Sequence, residues 1–565
     1  MIAFDTETVN GKCKVLGIYS NEISECRYVN FFNEIMNLMF MQKDNKFISY
    51  NLDYDIIAIF KYFSNNDLLQ IYTYGKLNYK NYKIKYIKCK ECVITRGRKT
   101  IYIYDLSQFF KGGLNVNALK FLNEKKIETD INKLTVRINR KNKGVLKYCL
   151  QDCKLTYNLY KLLMNSLKQL NLDRTKLLSC SYLSEKYFSK YFKNEKISFE
   201  MNEIARLSYF GGRFETFKRG YYKECFIYDI NSAYPYAISK LCSLEDLKIN
   251  YGKISNHTQY AIIEIETDFD KRQIMPLPVR LSGGRIIYPY GKFKTIINFE
   301  EYKLLKKYNF KFKKINIISF DGKYKQIIDM NKFYELRKQD KILNYVLKII
   351  INSLYGKFAE QIPIKKRLEN VILNEQEFIK SNDRTYIANY QAGSMSNYLF
   401  ASFITGYIRG MLYETCYIEQ DNIISLATDS IMSEKQIKNI EINNKIGGFK
   451  LERGDITIIG NGVYSVDDKW KFRGYNLGYD IKKELLNCNQ DKIIIKSKER
   501  FGLNENTLKN NKVNIIEMIN KRLDFNFDTK RIWYDNFNTG SEIFTKQILS
   551  EPILLTLKLQ KLYGG

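Results

Sequence analysis

Histidine is almost missing from this sequence: its 565 residues include a single one, His257. This scarcity argues against Ser-His-Asp, Cys-His and HExxH chemistry, because each of these needs histidine beside its partners. The sequence also contains no GxxxxGK[ST] phosphate-binding loop. Any catalysis must therefore depend on carboxylates, and carboxylates with few other ligands favour Mg²⁺ or Mn²⁺.

Proline, long apolar runs and regularly spaced cysteines are also scarce. With 6 prolines and 45% hydrophobic residues, the composition is typical of a globular protein. No apolar run approaches the roughly 20 residues of a membrane span, and no signal peptide precedes Asp5, so we expect no membrane association. The 11 cysteines are scattered and odd in number, which indicates a reducing, cytoplasmic setting. Cys89 and Cys92 form one CxxC pair without a second, which favours structural thiols over a zinc site.

Acidic residues are outnumbered by basic ones. The 61 Asp and Glu face 91 Lys and Arg, which leaves a formal charge of +30. The positive charge is spread along the chain and favours a polyanionic partner, with nucleic acid as the leading candidate. The 45 tyrosines and 35 phenylalanines suit stacking on bases as well as core packing. A basic but unspecialised protein is the alternative.

The first 170 or so residues alternate β-rich and helical runs, which predicts an α/β domain. The β-rich runs are IAFDTETV, KFISYNLDYDIIAIF and TIYIYDLSQFF, and VLKYCLQDCKLTYNLYKLLMNSL predicts a helix. In the first run, Asp5 and Glu7 are two positions apart and therefore share one face of a strand. Such close like charges repel each other unless a cation lies between them. An edge strand with both acids in water is the alternative.

Further acids follow in the same domain. Asp55 lies in YNLDYDII, and Asp152 follows Tyr148 by four residues, one turn apart on the same helix face. Four carboxylates that hold two divalent cations can activate a water molecule and stabilise the leaving oxygen in phosphodiester hydrolysis. The set Asp5, Glu7, Asp55 and Asp152 therefore predicts a metal-dependent hydrolytic site with Tyr148 in reach.

The second half of the chain repeats the pattern of paired acids. Asp229 ends a β-rich run in YDINSAYPYAI, and Asp429 lies between an apolar strand and a turn in SLATDSIMS. Two carboxylates from separate strands are suited to a second metal pair.

A basic helix is predicted between these two acids. The segment YELRKQDKILNYVLKIIINSLYGKFAE predicts one helix, on which Arg337, Lys341, Lys348 and Asn352 share a face. A cationic stripe that faces metal-binding acids suits a triphosphate. A solvated basic helix face is the alternative.

The order of these motifs resembles known families. DTE, NxxYD and YxxxD resemble the three motifs of a 3'-5' exonuclease of the DEDD group, tyrosine subtype. Downstream, DxxSxYP, KxxxNSxYG and TDS resemble family B DNA polymerases. SYFGGRF resembles the YxGG joint of the protein-primed branch, found in small podophages and adenovirus, and YDLSQFF resembles a strand-contacting segment of that branch.

The resemblance implies an α/β and α+β multidomain fold, in which a ribonuclease H-like 3'-5' exonuclease domain precedes a right-hand polymerase with palm, fingers and thumb. The implied divisions are an exonuclease domain (1–172), a linker and first part of the palm (173–244), an insertion that contacts the priming protein (245–330), fingers (331–358), a second insertion (359–392), palm (393–455), and the palm end with the thumb (456–565).

The resemblance also implies roles for individual residues. The metal-binding and catalytic group is Asp229 and Asp429 for synthesis and Asp5, Glu7, Asp55, Tyr148 and Asp152 for degradation, with two Mg²⁺ or Mn²⁺ ions at each site. The nucleotide-binding group is Tyr234, which excludes a 2'-hydroxyl, with Arg337, Lys348, Asn352 and Tyr355. The DNA-binding group is Thr8, Asn51, Ser107, Tyr209, Gly211, Gly212, Lys471 and Arg473.

Two positions depart from the family pattern. The usual DTDS reads Ala427-Thr428-Asp429-Ser430 here, which predicts activity with looser metal handling, and an impaired polymerase is the alternative. The expected KxY element reads Gly462-Val463-Tyr464 and lacks its lysine, which weakens the expectation that it binds the primer end.

The resemblance implies a monomeric DNA polymerase with proofreading, in the cytoplasm of a host cell if the protein is viral. The expected partners are template and primer DNA, dNTPs and a terminal protein whose hydroxyl accepts the first nucleotide. A repair polymerase primed by nucleic acid is one alternative, and a DNA-binding protein with an impaired polymerase site is another.

Overall fold

The computed structural model describes residues 1–128, 131–367, 379–380, 385–438, 440–475, 477 and 479–562. Within this part of the chain, each helix is either too short or too polar to cross a membrane.

An eight-stranded sheet organises the N-terminal domain. The strand order is β3-β2-β1-β4-β8-β7-β6-β5. The central strand β4 runs parallel to both of its neighbours, β1 and β8. The elements are β1 (Ile2–Val9), β2 (Lys12–Tyr19), β3 (Ser24–Tyr28), α1 (Phe32–Phe40), β4 (Lys46–Ser49), α2 (Leu52–Phe60), α3 (Asn65–Tyr74), β5 (Lys76–Tyr79), β6 (Tyr82–Ile87), β7 (Glu91–Arg96), β8 (Lys99–Asp105), α4 (Leu114–Leu122), α5 (Ile131–Asn139) and α6 (Lys143–Gln169).

The second β-rich run of the sequence is only partly a strand. KFIS forms β4, but the chain then turns at Asn51, which has a left-handed φ of 73°, and Leu52–Phe60 form α2. Eight of the nine residues of α2 are buried, so its sequence has no polar face to mark helical periodicity. The prediction of a strand through DYDIIAIF was therefore wrong.

A second sheet lies at the centre of the molecule. Its strand order is β24 (Lys469–Phe472), β23 (Val463–Val466), β22 (Phe449–Gly460), β10 (Lys218–Ile230), β21 (Ser430–Ser433), β20 (Ile423–Ala427) and β9 (Phe214–Thr216). In addition, β28 (Ile548–Glu551) pairs with both β10 and β27 (Ile532–Trp533). The chain reaches it through α7 (Cys180–Phe188), α8 (Phe199–Leu207), β9 (Phe214–Thr216), β10 (Lys218–Ile230) and α9 (Ala233–Ile238).

Two further sheets interrupt the central one. The first contains β11 (Lys248–Tyr251), β12 (Thr258–Phe269), β15 (Gly291–Asn298) and β16 (Phe312–Asp321), accompanied by β13 (Val279–Arg280), β14 (Ile286–Ile287) and α10 (Phe299–Lys307). The second contains β17 (Gln361–Arg367), β18 (Ile379–Lys380) and β19 (Thr385–Ala392). They lie within the predicted insertions 245–330 and 359–392, whose boundaries remain predictions.

The long basic helix of the sequence is two helices. α11 (Met330–Leu336) ends before Arg337, and α12 (Lys341–Phe358) begins after Asp340. The Asp340 carboxylate accepts hydrogen bonds from the backbone N–H groups of Ile342 and Leu343, both at 2.8 Å, and so caps a new helix. The prediction of one continuous helix was wrong because this cap competes with helix propagation.

The rest of the chain completes the central sheet and adds a hairpin. These elements are α13 (Tyr398–Cys416), β20 (Ile423–Ala427), β21 (Ser430–Ser433), β22 (Phe449–Gly460), β23 (Val463–Val466), β24 (Lys469–Phe472), α14 (Lys482–Leu486), β25 (Lys492–Arg500), α15 (Glu505–Lys509), β26 (Ile516–Asp524), β27 (Ile532–Trp533), α16 (Glu542–Thr545), β28 (Ile548–Glu551) and α17 (Leu557–Leu562).

The tip of the β25–β26 hairpin docks on the N-terminal domain. Leu503, Leu508 and Val513 are buried in the same hydrophobic cluster as α2 and α3. The Asn514 side-chain amide donates to the carbonyl oxygens of Gly11 (3.3 Å) and Tyr54 (3.1 Å). The C-terminal hairpin therefore closes onto the domain that carries Asp5 and Glu7.

Candidate active sites

The first acidic cluster lies between β1 and α6. Asp5 and Glu7 project from the same face of β1, and α6 packs over β1 and β2. The close approach of α6 requires a glycine beneath it, since a Cβ on Gly17 would lie 2.9 Å from the Sγ atoms of both Cys149 and Cys153. Strand alternation and helix packing thus bring Asp5, Glu7 and Asp152 together.

Asp55 joins this cluster from the first turn of α2. Its carboxylate accepts hydrogen bonds from the Thr6 backbone N–H (3.1 Å), from the Thr6 hydroxyl (2.7 Å) and from the Ser49 hydroxyl. Asp55 is 1% exposed, so these donors replace the water that a carboxylate would otherwise bind.

Asp152 has a partner that the motifs did not predict. Its Oδ2 forms a salt bridge with Lys126 Nζ, which also lies 4.7 Å from the centre of the Tyr148 ring. Burial lowers the pKa of Lys126, but the charges of Asp152 and Asp5 outweigh this effect and raise it overall. No local pattern distinguishes Lys126 from Lys125, so sequence reasoning had no signal with which to find it.

The acids of this cluster perturb one another strongly. Burial and the charges of Asp55, Asp152 and Glu7 raise the pKa of Asp5 well above its usual value. Burial, followed by the charge of Asp152, raises the pKa of Glu7 to about 8. Burial also raises the pKa of Asp55 to about 7 against the effect of its hydrogen bonds. The negative charge gathered here is therefore only partly compensated by the protein.

The donor set fits divalent cations. Asp152 Oδ1 is buried and has no hydrogen-bond partner among the described residues, which leaves one oxygen available as a ligand. Ligand atoms of Asp5, Glu7 and Cys149 lie within 4.8 Å of one another. Carboxylate oxygens that repel each other at this spacing are suited to Mg²⁺ or Mn²⁺. Cys149, which contributes a nearby thiol, was not predicted.

The second acidic pair lies in the central sheet. Asp229 is opposite Ser430 in the antiparallel pair β10–β21, and the Ile230 N–H donates to the Asp429 carbonyl oxygen at 2.9 Å. Asp429 lies at the turn between β20 and β21, where Thr428 has a left-handed φ of 59°. Burial and the charge of Asp429 raise the pKa of Asp229. The structure therefore brings together the two acids that the sequence had paired.

Two aromatic rings stack beside this pair. The rings of Tyr234 and Tyr355 are 4.3 Å apart with an interplanar angle of 12°. Gly212 supports Tyr234, because a Cβ there would lie 2.6 Å from the Tyr234 hydroxyl and 3.2 Å from Thr428 Cγ2. Arg409 holds the same joint by donating to the Gly211 carbonyl oxygen at 2.8 Å.

Tyr209, from the same joint, packs its ring against that of Tyr398, with 5.5 Å between ring centres. The joint predicted from SYFGGRF thus connects directly with the site of Asp429.

Basic side chains face the Asp229 carboxylate. Burial and the charges of Arg337, Lys450 and Lys111 lower the pKa of Lys348. Lys450 is opposite Asp229 in the β10–β22 pair, and neither it nor Lys111 was predicted.

The other three residues of the predicted basic helix face differ in their surroundings. Asn352 is exposed on α12, one turn after Lys348. Arg337, although outside the helix, donates to the Asn344 side-chain oxygen at 3.0 Å and to the Ser232 hydroxyl at 3.3 Å. Lys341 instead donates to the Lys120 carbonyl oxygen at 3.2 Å and does not belong to this group.

Ala427 lacks the carboxylate that is usual in the family pattern, but a strand next to β10 supplies another acid. Glu452 is two residues from Lys450 on β22 and so shares the sheet face of Asp229. Its charge contributes to the raised pKa of Asp229. The site thus has a third carboxylate that the motif order did not predict.

The residues predicted to hold a single strand lie around the N-terminal cluster. The Thr8 and Tyr54 hydroxyls are hydrogen-bonded at 2.8 Å. The backbone N–H of Asn51 and the hydroxyl of Ser107 both donate to Asp105 Oδ1, at 3.1 and 2.7 Å. Asp105, a buried acid that was not predicted, therefore positions two of these residues.

Of the predicted primer-contacting residues, Lys471 lies on β24 and Arg473 directly follows this strand. Lys471 is opposite Tyr464 in the β23–β24 pair and donates to its hydroxyl at 3.2 Å, and Arg473 lies 5.7 Å from the Phe214 ring centre. Gly462 occupies the β22–β23 turn with a φ of 80°, a conformation that disfavours lysine. A lysine at this position would therefore be strained.

The model of the family described as DNA polymerase type B, organellar and viral, matches residues 36–446. This chain belongs to that family. The resemblance drawn from the motifs is therefore confirmed.

The type B DNA polymerase relatives include the DNA polymerase of Acidianus bottle-shaped virus (isolate Italy/Pozzuoli). It is 26% identical over 394 residues, which cover 64% of this chain and 54% of the relative. The DNA-directed DNA polymerase of Enterobacteria phage PRD1 is 24% identical over 372 residues, which cover 61% of this chain and 63% of the relative. This chain therefore spans about half the length of the Acidianus virus polymerase.

The fold is shared with a solved DNA polymerase. Phi29 DNA polymerase in an orthorhombic crystal form superposes with a TM-score of 0.66 at 17% identity, covering 93% of this chain and 99% of that chain. The predicted order of an exonuclease-like domain followed by a right-hand polymerase fold is therefore confirmed.

Gly212→Ala should impair nucleotide binding, because the added Cβ would displace the Tyr234 ring from its stack with Tyr355. Overpacking costs about 1–3 kcal/mol in folded proteins, and the share of this cost that falls on the nucleotide-bound state should raise KM for a dNTP by up to about 150-fold. Gly211→Ala is the matched control, since its Cβ would meet open space. Steady-state kinetics on a primed template checks this prediction, and equal effects of the two substitutions would contradict it.

Cation binding at the N-terminal cluster should strengthen as pH rises. Glu7 and Asp55, with pKa values of about 8 and 7, carry protons at pH 6 that must leave when a cation binds. The Mg²⁺ concentration that raises Tm should therefore fall between pH 6 and 8.5, in an Asp229→Asn background that removes the second site.

The raised pKa of Glu7 also affects the stability of the metal-free protein. A carboxyl group whose pKa is raised on folding contributes stability that is complete below about pH 4.5 and is lost as pH rises through about 8. Glu7→Gln should therefore unfold a few degrees above wild type at pH 8.5 in EDTA, and at about the same temperature at pH 4.5. An unchanged Tm difference across this pH range would contradict the assignment.

Proposed function

We propose that this protein is a DNA-directed DNA polymerase with a separate 3'-5' exonuclease site. The observation that carries this proposal is the position of Asp229 near the end of β10, beside Asp429 in the turn between β20 and β21, with stacked aromatic rings and a group of lysines close by. Membership of the type B DNA polymerase family supports the reaction class, and the second acidic cluster supports the hydrolytic activity.

At the synthetic site, Asp229 and Asp429 would hold the cations, with Glu452 in reach. Paired divalent cations supply, at both sites, the charge that stabilises the attacking and leaving oxygens during displacement at phosphorus. Lys348 and Arg337 bind the triphosphate and orient it by charge and hydrogen bonds. Tyr234, fixed by Gly212 and by its stack on Tyr355, forms the floor beneath the sugar.

At the hydrolytic site, Asp5, Glu7, Asp55 and Asp152 would hold the cations. Thr8, Asn51 and Ser107 bind the single-stranded 3' end, and Asp105 positions the last two of them. Tyr148 lies beside Lys126, whose ammonium group offsets part of the negative charge of the cluster. Lys471 and Arg473 bind the primer backbone by charge.

We further infer that synthesis begins on a hydroxyl group of a terminal protein, which contacts the insertion between residues 245 and 330. The SYFGGRF joint and the sheet formed by β11, β12, β15 and β16 support this inference. The viral relatives support a site of action in the cytoplasm of a host cell. Because one chain carries both acidic clusters, a monomer has the residues for both reactions.

Two substitutions should separate the activities. Asp229→Asn should lower primer extension by at least about a thousandfold, since it removes a cation ligand from a site that depends on positioned charge, and should leave degradation of single strands intact. Asp5→Ala with Glu7→Ala should do the reverse. Gel assays on a labelled primer with Mg²⁺ or Mn²⁺ measure both, and wild-type protein that extends no primer would overturn the polymerase proposal.

Terminal-protein priming has its own test. The protein is incubated with the product of the gene next to its own, template DNA and labelled dATP, and the expected result is a covalent dAMP adduct on the partner protein. Asp229→Asn is the control that should abolish the adduct. Extension of a DNA primer without any adduct would instead favour a repair polymerase primed by nucleic acid.

A further inference from the structure

One cysteine lies inside the N-terminal acidic cluster. The Sγ atom of Cys149 and one carboxylate oxygen each of Asp5 and Glu7 lie within 4.8 Å of one another. Within the described part of the chain, this is the only group of three acidic, cysteine or histidine side chains whose ligand atoms are this close. The YxxxD motif specifies Tyr148 and Asp152 and leaves position 149 open, so the thiol belongs to this chain and not to the motif.

The thiol lies at the boundary between an apolar cluster and the acids. On one side, the buried Cys149 packs with Val15, Ile138 and Val145. On the other side, its thiol donates to the backbone carbonyl oxygen of Asp5 at 3.5 Å. A buried cysteine among apolar neighbours alone is an ordinary core residue. This sulfur differs because two carboxylates are also within its reach.

Close packing of α6 on β2 fixes the position of the sulfur. A Cβ on Gly17 would lie 2.9 Å from the Sγ atoms of both Cys149 and Cys153, so a larger residue there would displace the helix or the thiols. The second thiol is also near the cluster, since the charge of Cys153 contributes to the raised pKa of Asp5. The fold therefore holds sulfur against carboxylate oxygen in a confined space.

A mixed set of sulfur and oxygen ligands has a different metal preference from carboxylates alone. Mg²⁺ prefers oxygen ligands, whereas thiolates favour Zn²⁺ and softer ions. Zn²⁺ binds sulfur at about 2.3 Å and carboxylate oxygen at about 2.0–2.2 Å, which places tetrahedral ligand atoms about 3.5 Å apart. A group that spans at most 4.8 Å needs to contract by about 1 Å to reach this spacing.

A fourth ligand for such an ion is also present. Asp152 Oδ1 is buried and has no hydrogen-bond partner among the described residues, and the charge of Asp152 acts on both Asp5 and Glu7. Three protein ligands with one further position match the tetrahedral coordination that Zn²⁺ prefers.

We propose that Asp5, Glu7 and Cys149 form a binding site for the thiophilic cation Zn²⁺, and that Zn²⁺ bound there excludes Mg²⁺ or Mn²⁺ from the hydrolytic site. We call this group the thiol site. The Cys149 thiol loses its proton to solvent as the metal binds. Binding follows from the donor atoms alone. The resulting arrest of strand degradation rests on the proposed exonuclease site, because Asp5 and Glu7 cannot serve both kinds of ion at once.

The thiol site is tested with Cd²⁺, a thiophilic probe whose bonds to thiolates give an ultraviolet charge-transfer band. The full-length protein is titrated without Mg²⁺, with a phosphine as reductant. Wild type should show a saturable band that Cys149→Ser lacks, since a hydroxyl is a poor ligand for a soft ion. Cys416→Ser is the matched control and should retain the band, because Cys416 is also buried on a helix but has Arg213 near it instead of acids.

A second substitution tests the oxygen side of the thiol site. Glu7→Gln keeps every cysteine and replaces a charged ligand by a neutral amide, so the Cd²⁺ concentration at half-maximal absorbance should rise at least about tenfold. The Tm of each variant verifies that it is folded. A band in Cys149→Ser equal to that of wild type, or an unchanged half-maximal concentration in Glu7→Gln, would overturn the proposal.

Degradation of a labelled single strand gives the functional readout. At a fixed Mg²⁺ concentration, added micromolar Zn²⁺ should slow wild type at least about tenfold more than it slows Cys149→Ser, each relative to the same protein without Zn²⁺. Equal sensitivity of the two proteins would overturn the inference. Wild type that degrades no strand in Mg²⁺ would instead contradict the exonuclease proposal, and the Cd²⁺ titrations would then decide the thiol site by themselves.

Discussion

Repulsion among buried carboxylates is the constraint on which this molecule depends. Asp5, Glu7, Asp55 and Asp152 come from two ends of a sheet domain, yet β1, α2 and α6 hold them in one cluster, in which Asp5 is partly buried and the other three are buried. Lys126 offsets only part of the charge, and the pKa values of the acids rise accordingly. Such a cluster is costly in the protein alone and becomes favourable once divalent cations occupy it. The free-energy cost of this cluster without cations therefore supports divalent cations as its ligands.

At the second site, the repulsion between carboxylates is reduced in a different way. Asp229 is exposed, and Lys348 and Lys450 from separate elements face it. Water and mobile basic side chains reduce the repulsion there, which suits a site that must admit and release a highly charged substrate repeatedly. The buried cluster is suited instead to a strand end that enters one nucleotide at a time. The difference in burial between two similar sets of acids thus matches the two reactions proposed for them.

Close backbone packing connects these sites to the rest of the fold. Gly212 brings the joint after α8 against Tyr234, and Arg409 holds the neighbouring carbonyl from the middle of α13. At the other end, the hairpin tip buries Leu508 in the N-terminal core, and Asn514 bonds to the chain next to the β1–β2 turn. Contacts between separate segments of the chain therefore support both acidic sites.

The sequence by itself determined the local arrangements: β1 with Asp5 and Glu7 on one face, α6 with Tyr148 and Asp152 one turn apart, and the family to which the motifs belong. The cap at Asp340, which divides the basic helix, is also local, and the prediction of one helix overlooked it. Only the tertiary structure decided that DYDIIAIF is a helix. It also decided that Lys126 and Glu452 lie beside the acids. The reason is physical: alternation, helical spacing and helix caps depend on neighbours in the chain, whereas burial on all sides and a charge partner depend on residues brought close by packing.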